Sequence, residues 1–254
     1  METKRERYGV LEYYEALIRA FGPQGWWPGE TPIEVAVGAI LTQNTAWTNV
    51  EKAIENLKRA GAISYNALHR LPEEDLAALI RPAGYFNVKA KRLKSFLNHV
   101  FLCHGNLKKF LSLPQGELRT ELLSVNGIGP ETADSISLYA AGYGEFVVDA
   151  YTRRIFARHG FFGTDASYDE MKALFTEGLP EDKTIFNEYH ALIVKTGKDF
   201  CKTREPLCKT CPLGPFLDKK ARPHARETDN APHAPHAPHA PHAAPCRPCT
   251  PCQR

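Results

Sequence analysis

Residues 122–154 read LLSVNGIGPETADSISLYAAGYGEFVVDAYTRR, and this stretch decides the fold. Gly127-Ile128-Gly129 lies between two helical patterns. Around it apolar and small residues recur as Val125-x-Gly127-Ile128-Gly129-x-x-x-Ala133-x-x-Ile136. Glycines permit a sharp bend, and the small Ala133 lets two helices approach. The pattern is a helix-hairpin-helix. Its second helix begins with unpaired backbone N–H groups and partial positive charge, which suits a phosphate. Asp149 follows twenty residues after Gly129, behind the apolar run Phe146-Val147-Val148. Aspartate is a common N-cap, and a helical pattern starts at Ala150. A carboxylate fixed at a helix start, close to a phosphate anchor, can do chemistry on a nucleic acid.

Outward from the hairpin the chain is helical almost throughout. Amphipathic or apolar helical patterns cover residues 8–21, 33–41, 47–60, 73–80, 88–103 and 117–125, then 131–141, 150–159, 168–178 and 185–196. Thr31-Pro32-Ile33-Glu34 has the form of a capping box with proline at the first helical position. The helix that follows is apolar on nearly all sides, so it belongs in the core. Asn87 is placed to cap the helix beginning at Val88. No strand alternation competes, and residues 146–148 are too few to build a sheet. The fold class is all-α.

The formal net charge is +3, but residues 1–217 carry 26 basic and 26 acidic side chains. Global charge therefore does not announce a nucleic-acid partner; local patches must. One candidate runs from Val88 to Phe110, where Lys89, Lys91, Arg92, Lys94, Lys108 and Lys109 occur without an acid. No run approaches the length of a membrane span, and METKRERYGV does not read as a signal peptide. The expectation is a cytoplasmic, nucleoid-associated protein without a membrane partner. Residues 218–254 are expected to be disordered: eight of the nineteen prolines lie there, with an Ala-Pro-His repeat and Pro-Cys-Arg-Pro-Cys-Thr-Pro-Cys.

Seven cysteines in such a compartment argue for ligation over disulfides. Cys201-x6-Cys208-x2-Cys211 directly follows the last helix, a spacing of soft thiolates suited to an iron–sulfur cluster or zinc. All three tryptophans, Trp26, Trp27 and Trp47, flank the buried helix at residues 33–41.

Together these motifs resemble the HhH-GPD superfamily of DNA glycosylases, in its endonuclease III branch, over roughly residues 8–211. Within the branch, Trp26-Trp27-Pro28 and Leu41-Thr42-Gln43-Asn44-Thr45 are most similar to the endonuclease III-type 3-methyladenine DNA glycosylases. The resemblance implies two lobes. One is a helical bundle over residues 29–144 that ends in the hairpin. The other joins residues 1–28 to 145–217 and carries the cysteines. The active cleft would lie between them.

The resemblance also implies roles. Asp149 would be catalytic. Trp26, Trp27, Pro28 and Trp47 would line the pocket for an extruded base, where an indole attracts a cationic alkylated purine. Gln43 would fill the gap that the base leaves. Gly127, Ile128, Gly129 and Thr132 would contact the DNA backbone. Cys201, Cys208 and Cys211 would hold a 4Fe-4S cluster, but the fourth cysteine expected five residues on is Leu217. Cys246, Cys249 or Cys252 of the tail is the alternative fourth ligand. Lyase-competent relatives carry a lysine where this chain has Glu131, and a carboxylate cannot form a Schiff base. The implied activity is a monofunctional DNA N-glycosylase that removes alkylated purines from double-stranded DNA and works as a monomer. Two other readings stay open: an endonuclease III-like glycosylase and lyase for oxidised or mismatched pyrimidines, and a non-catalytic DNA-binding module.

Overall fold

The computed structural model describes residues 9–26, 29–163 and 165–217, and every regular element among them is helical. In chain order these are α1 (Val10–Phe21), α2 (Pro32–Leu41), α3 (Trp47–Arg59), α4 (Tyr65–Arg70), α5 (Glu73–Leu79), α6 (Phe86–His104), α7 (Leu107–Leu111) and α8 (Gln115–Ser124). They continue as α9 (Pro130–Ile136), a π-helical turn (Ser137–Ala141), α10 (Ala150–Arg158), α11 (Tyr168–Gly178) and α12 (Lys183–Asp199), with short 3-10 turns at Arg81–Ala83 and Gly214–Phe216. None is long and apolar enough to cross a membrane.

The side chains form two cores. In the first, α2 packs against α3, α6, α9 and the π-turn, and α5 and α8 add side chains to the same core, with Ile40, Leu41, Leu57, Phe96 and Leu122 fully buried. Truncating such a residue to alanine costs roughly 2–5 kcal/mol. The second core is aromatic. Phe146 stacks on Phe175 at 4.0 Å, and Tyr189 of α12 packs beside both. The buried Tyr189 hydroxyl donates to the Val10 carbonyl at 2.8 Å and so fixes the start of α1. Val35 of α2, with Leu138 and Tyr139 of the π-turn, belongs to this second core. The two cores therefore meet along α2 and the helix after the hairpin.

Buried ions cross the same seam. Asp134 of α9, fully buried, pairs with Arg119 of α8 at 2.8 Å and with Lys172 of α11 at 3.0 Å. Lys172 also pairs with Glu145.

Several local expectations are corrected. Thr31 does cap α2, accepting from the Glu34 N–H at 3.3 Å. The reciprocal half of the box is replaced, because the Glu34 carboxylate turns to Lys58 at 3.0 Å. Asn87 is not a cap: α6 starts at Phe86, two residues before Val88, behind Tyr85 at φ +45°. The basic run 88–110 is not one solvated face. Lys89 is buried and donates to the carbonyls of Leu41 and Ala83, both at 2.8 Å, so it closes the C-terminal end of α2. Burial, with Arg92 nearby, lowers its pKa to about 8. Lys94 does the same for α4, donating to the carbonyls of Leu68, His69 and Leu71. Orphan carbonyls at helix ends need such donors. Two lysines of the run thus hold helices together.

Candidate active site

Gly127 takes φ +88°, a conformation that favours glycine, and a Cβ there would meet Arg92 Cγ at 2.3 Å. Gly129 differs. It caps α9 with extended backbone (φ −96°, ψ 178°), and a Cβ would meet nothing within 4 Å. Only the first glycine is demanded by the bend. Ile128 is buried, with its N–H donating to the Val125 carbonyl at 3.1 Å. Pro130 takes the first helical position, and no side chain caps the α9 N-terminus.

Gln43, just past α2, is tied to this hairpin. Its Nε2 donates to the Gly127 carbonyl and to Thr132 Oγ1, both at 3.0 Å, while its Oε1 accepts from Arg92. Thr132 is buried, and its contact is with the glutamine. Three of the residues expected to contact DNA, Gln43, Gly127 and Thr132, are thus bonded together, and Thr132 holds Gln43 against the turn.

Asp149 divides its two oxygens. Oδ1 caps α10, accepting from the Thr152 N–H at 2.7 Å and the Thr152 hydroxyl at 2.8 Å. Oδ2 lies 3.6 Å from His190 Nε2. Burial pushes the carboxyl pKa up, but His190 and the two Thr152 donors overcome this and hold it below the ordinary value. His190, on α12, bonds the Tyr139 hydroxyl through Nδ1 at 2.6 Å. With the hydroxyl donating to Nδ1, Nε2 carries the proton and faces the carboxylate.

Glu131 is an exposed residue at the start of α9. Protein still crowds its carboxyl. This desolvation and the charge of Asp149, opposed by His190, push its pKa from 4.5 up to about 7.

Trp26 stands edge-on to three partners: Tyr139 at 5.4 Å, His190 at 5.8 Å and Trp47 at 6.3 Å. Trp47 rests on Gly38 of α2, where a Cβ would come within 3.3 Å of its ring. Trp26 therefore lies beside His190, and Trp47 reaches the His190–Asp149 pair through its contact with Trp26. Trp27 and Pro28 lie outside the described residues.

The cysteine loop follows α12. Arg158 donates to Cys201 Sγ at 3.2 Å, and Arg154 donates to the Cys201 carbonyl at 2.9 Å. Burial raises the Cys211 thiol, and Cys201 and Cys208 are near enough to raise it further. Gly214 is required, since a Cβ would strike the Cys208 carbonyl at 2.2 Å. The three sulfurs do not converge within 4.8 Å as ligands of a single ion would. The fourth expected position is Leu217, so the described residues do not complete a cubane's ligand set. Cys246, Cys249 and Cys252 lie outside them. Lys202, Arg204 and Lys209 are exposed on the loop.

Residues 37–181 match the model of the HhH-GPD superfamily base excision DNA repair proteins, more than half of the chain. The chain belongs to the HhH-GPD superfamily. It is also 48% identical over 213 residues to a protein of Methanocaldococcus jannaschii named "Putative DNA repair glycosylase", covering 83% of this chain and 96% of the relative. Among solved structures it resembles the H. pylori 3-methyladenine DNA glycosylase bound to 1,N6-ethenoadenine, with a TM-score of 0.66 and 28% identity over 75% of this chain and 98% of that one. An endonuclease III–DNA complex matches with a TM-score of 0.71 over 85% and 96% of the two chains; at 22% identity this shows the shared fold. The protein is an HhH-GPD base-excision DNA glycosylase.

His190 and Tyr139 are the site residues that sequence reasoning missed. A single histidine on a helix of mixed polarity carries no signal alone. Tyr139 is hidden because a π-turn has the sequence of an ordinary helix.

Proposed function

We propose that this glycosylase is monofunctional and hydrolyses the N-glycosidic bond of alkylated purines, 3-methyladenine above all. The observation that carries this reading is Glu131: a carboxylate stands beside Asp149 where the family resemblance places the lyase lysine. Schiff-base chemistry needs an accessible amine of lowered pKa. Burial lowers the pKa of Lys89 and of Lys94, but Lys89 is bonded to two carbonyls and Lys94 to three. Lys172 is committed to Asp134 and Glu145.

Water is then the nucleophile. Asp149 Oδ2, which the cap leaves unused, accepts the water's proton or stabilises positive charge on the sugar in the transition state. His190 keeps that carboxylate ionised. Trp26 and Trp47 offer indole surface to the extruded base, and a cationic purine gains most from it. Such a base is a good leaving group, so little acid assistance is needed. The likeness to a 3-methyladenine glycosylase supports the same substrate class.

The test is base release from methylated, oxidised and uracil-containing duplexes, with borohydride added during turnover. The expected result is release of methylated purines, intact abasic product and no trapped adduct. Efficient trapping, or release confined to oxidised pyrimidines, would overturn the proposal.

A further inference from the structure

Away from the Asp149 site, two histidines and a carboxylate converge. His99 and His104 lie on the last turns of α6, and Glu121 lies on α8, the first helix of the hairpin. One ligand atom from each lies within 4.8 Å of the others, and among the described residues this is the one such group of histidine, cysteine, aspartate or glutamate. His99 Nε2 is 2.7 Å from Glu121 Oε2, and His104 Nε2 is 3.5 Å from the same oxygen.

A simple histidine–glutamate ion pair accounts for half of this arrangement. It satisfies His99. It leaves His104 Nε2 buried from water and without a hydrogen-bond partner, a costly state for a polar atom. A single ion between the three atoms would satisfy all of them. At zinc–ligand bonds of about 2.0–2.1 Å, tetrahedral ligand atoms stand about 3.3 Å apart. The observed 2.7 and 3.5 Å bracket that separation.

The surroundings hold the rings as a metal site requires. Fully buried Phe110 packs edge-on to His99 at 6.1 Å and tilted to His104 at 5.1 Å. His99 Nδ1 faces Cys103 Sγ at 4.0 Å, so Nε2 is the nitrogen turned inward. The Glu121 side chain is 38% exposed, which leaves a side open for a water ligand.

We propose that His99, His104 and Glu121 bind one divalent ion of the zinc class, which staples the end of α6 to the first helix of the hairpin. Two imidazoles and one carboxylate favour zinc over magnesium or calcium, which prefer all-oxygen shells. The site stands apart from the chemistry proposed at Asp149 and does not depend on it.

The probe is Zn2+ added to the metal-free full-length chain. The cysteine loop and the histidines of the tail also offer zinc ligands, so the decisive quantity is a difference. Equilibrium dialysis should give one zinc fewer per chain for His104→Ala and for Glu121→Gln than for the wild type. Zinc should also raise the unfolding midpoint of the wild type more than that of either variant, because binding to the folded state alone stabilises it. Each chain is referred to its own metal-free midpoint, so a weakened variant does not imitate the effect, and Glu121→Gln keeps the side chain's size. Equal stoichiometry and equal zinc-dependent shifts in all three chains would overturn the proposal.

Discussion

A carboxylate that caps a helix with one oxygen and faces a histidine with the other is held in place without being used up. That division at Asp149 makes separable predictions. Asp149→Asn keeps the cap's shape and removes the charge, so single-turnover base release should fall by roughly 10²–10⁴-fold while DNA affinity stays nearly unchanged; wild-type turnover would reduce Asp149 to a cap. His190 helps to hold the Asp149 pKa below its ordinary value. His190→Gln should raise that pKa, so the acidic limb of the pH–rate profile should move to higher pH. A merely structural role would lower the rate without moving the limb. Glu131 has the opposite sign. Its folded pKa is raised from 4.5 to about 7, so between those values the folded state binds more protons than the unfolded one. Stability then falls as pH rises through that window. Glu131→Gln should remove the loss, and melting midpoints of the two proteins should diverge from pH 4.5 to 7 and run parallel above it. The Asp149 cap was legible because an aspartate after an apolar run and before a helical pattern is a common N-cap. His190 was not, because only the folded chain brings α12 beside it.

The hairpin was also legible, but its two glycines are not equivalent. The motif alone treats Gly127 and Gly129 alike. In the fold, Gly127 has a positive φ and Arg92 against it, whereas Gly129 has ordinary extended backbone and open space. Gly127→Ala should cost about 1–2 kcal/mol of backbone strain and displace the Arg92 side chain that holds Gln43. DNA affinity should fall for all sequences alike, since phosphate contacts carry no sequence information. Gly129→Ala should be nearly silent in thermal melts. Salt-dependent affinity measurements on both variants check the contrast, and equal losses would contradict it. The basic run misled for a related reason: charge shows in sequence, but which lysines will be buried at the ends of α2 and α4 does not.

At the scale of the molecule, two cores meet along α2 and the hairpin helix, and the cysteine loop closes the second. Helical periodicity, with no competing strand alternation, announced the all-α class. The ion network at the seam was invisible, because Asp134, Glu145 and Lys172 come from separate segments. The cysteine loop shows how far spacing reaches. Three thiols are gathered behind α12, with Arg158 on Cys201 and Gly214 fitted under Cys208. Leu217 cannot donate to iron, so a cubane held here takes its fourth ligand from elsewhere in the chain or from solvent. Protein purified without oxygen should absorb broadly near roughly 400 nm, as thiolate-ligated iron–sulfur does. Cys208→Ala should remove that band together with the bound iron. Truncation after Leu217 keeps the three thiolates and removes Cys246, Cys249 and Cys252. If one of them is the fourth ligand, the truncated protein should lose iron or bleach faster in air than the full chain. Equal iron content and equal bleaching rates would exclude the tail and leave the fourth iron open to solvent. A colourless, iron-free wild-type protein would show that the loop keeps its shape through Arg154, Arg158 and Gly214 alone.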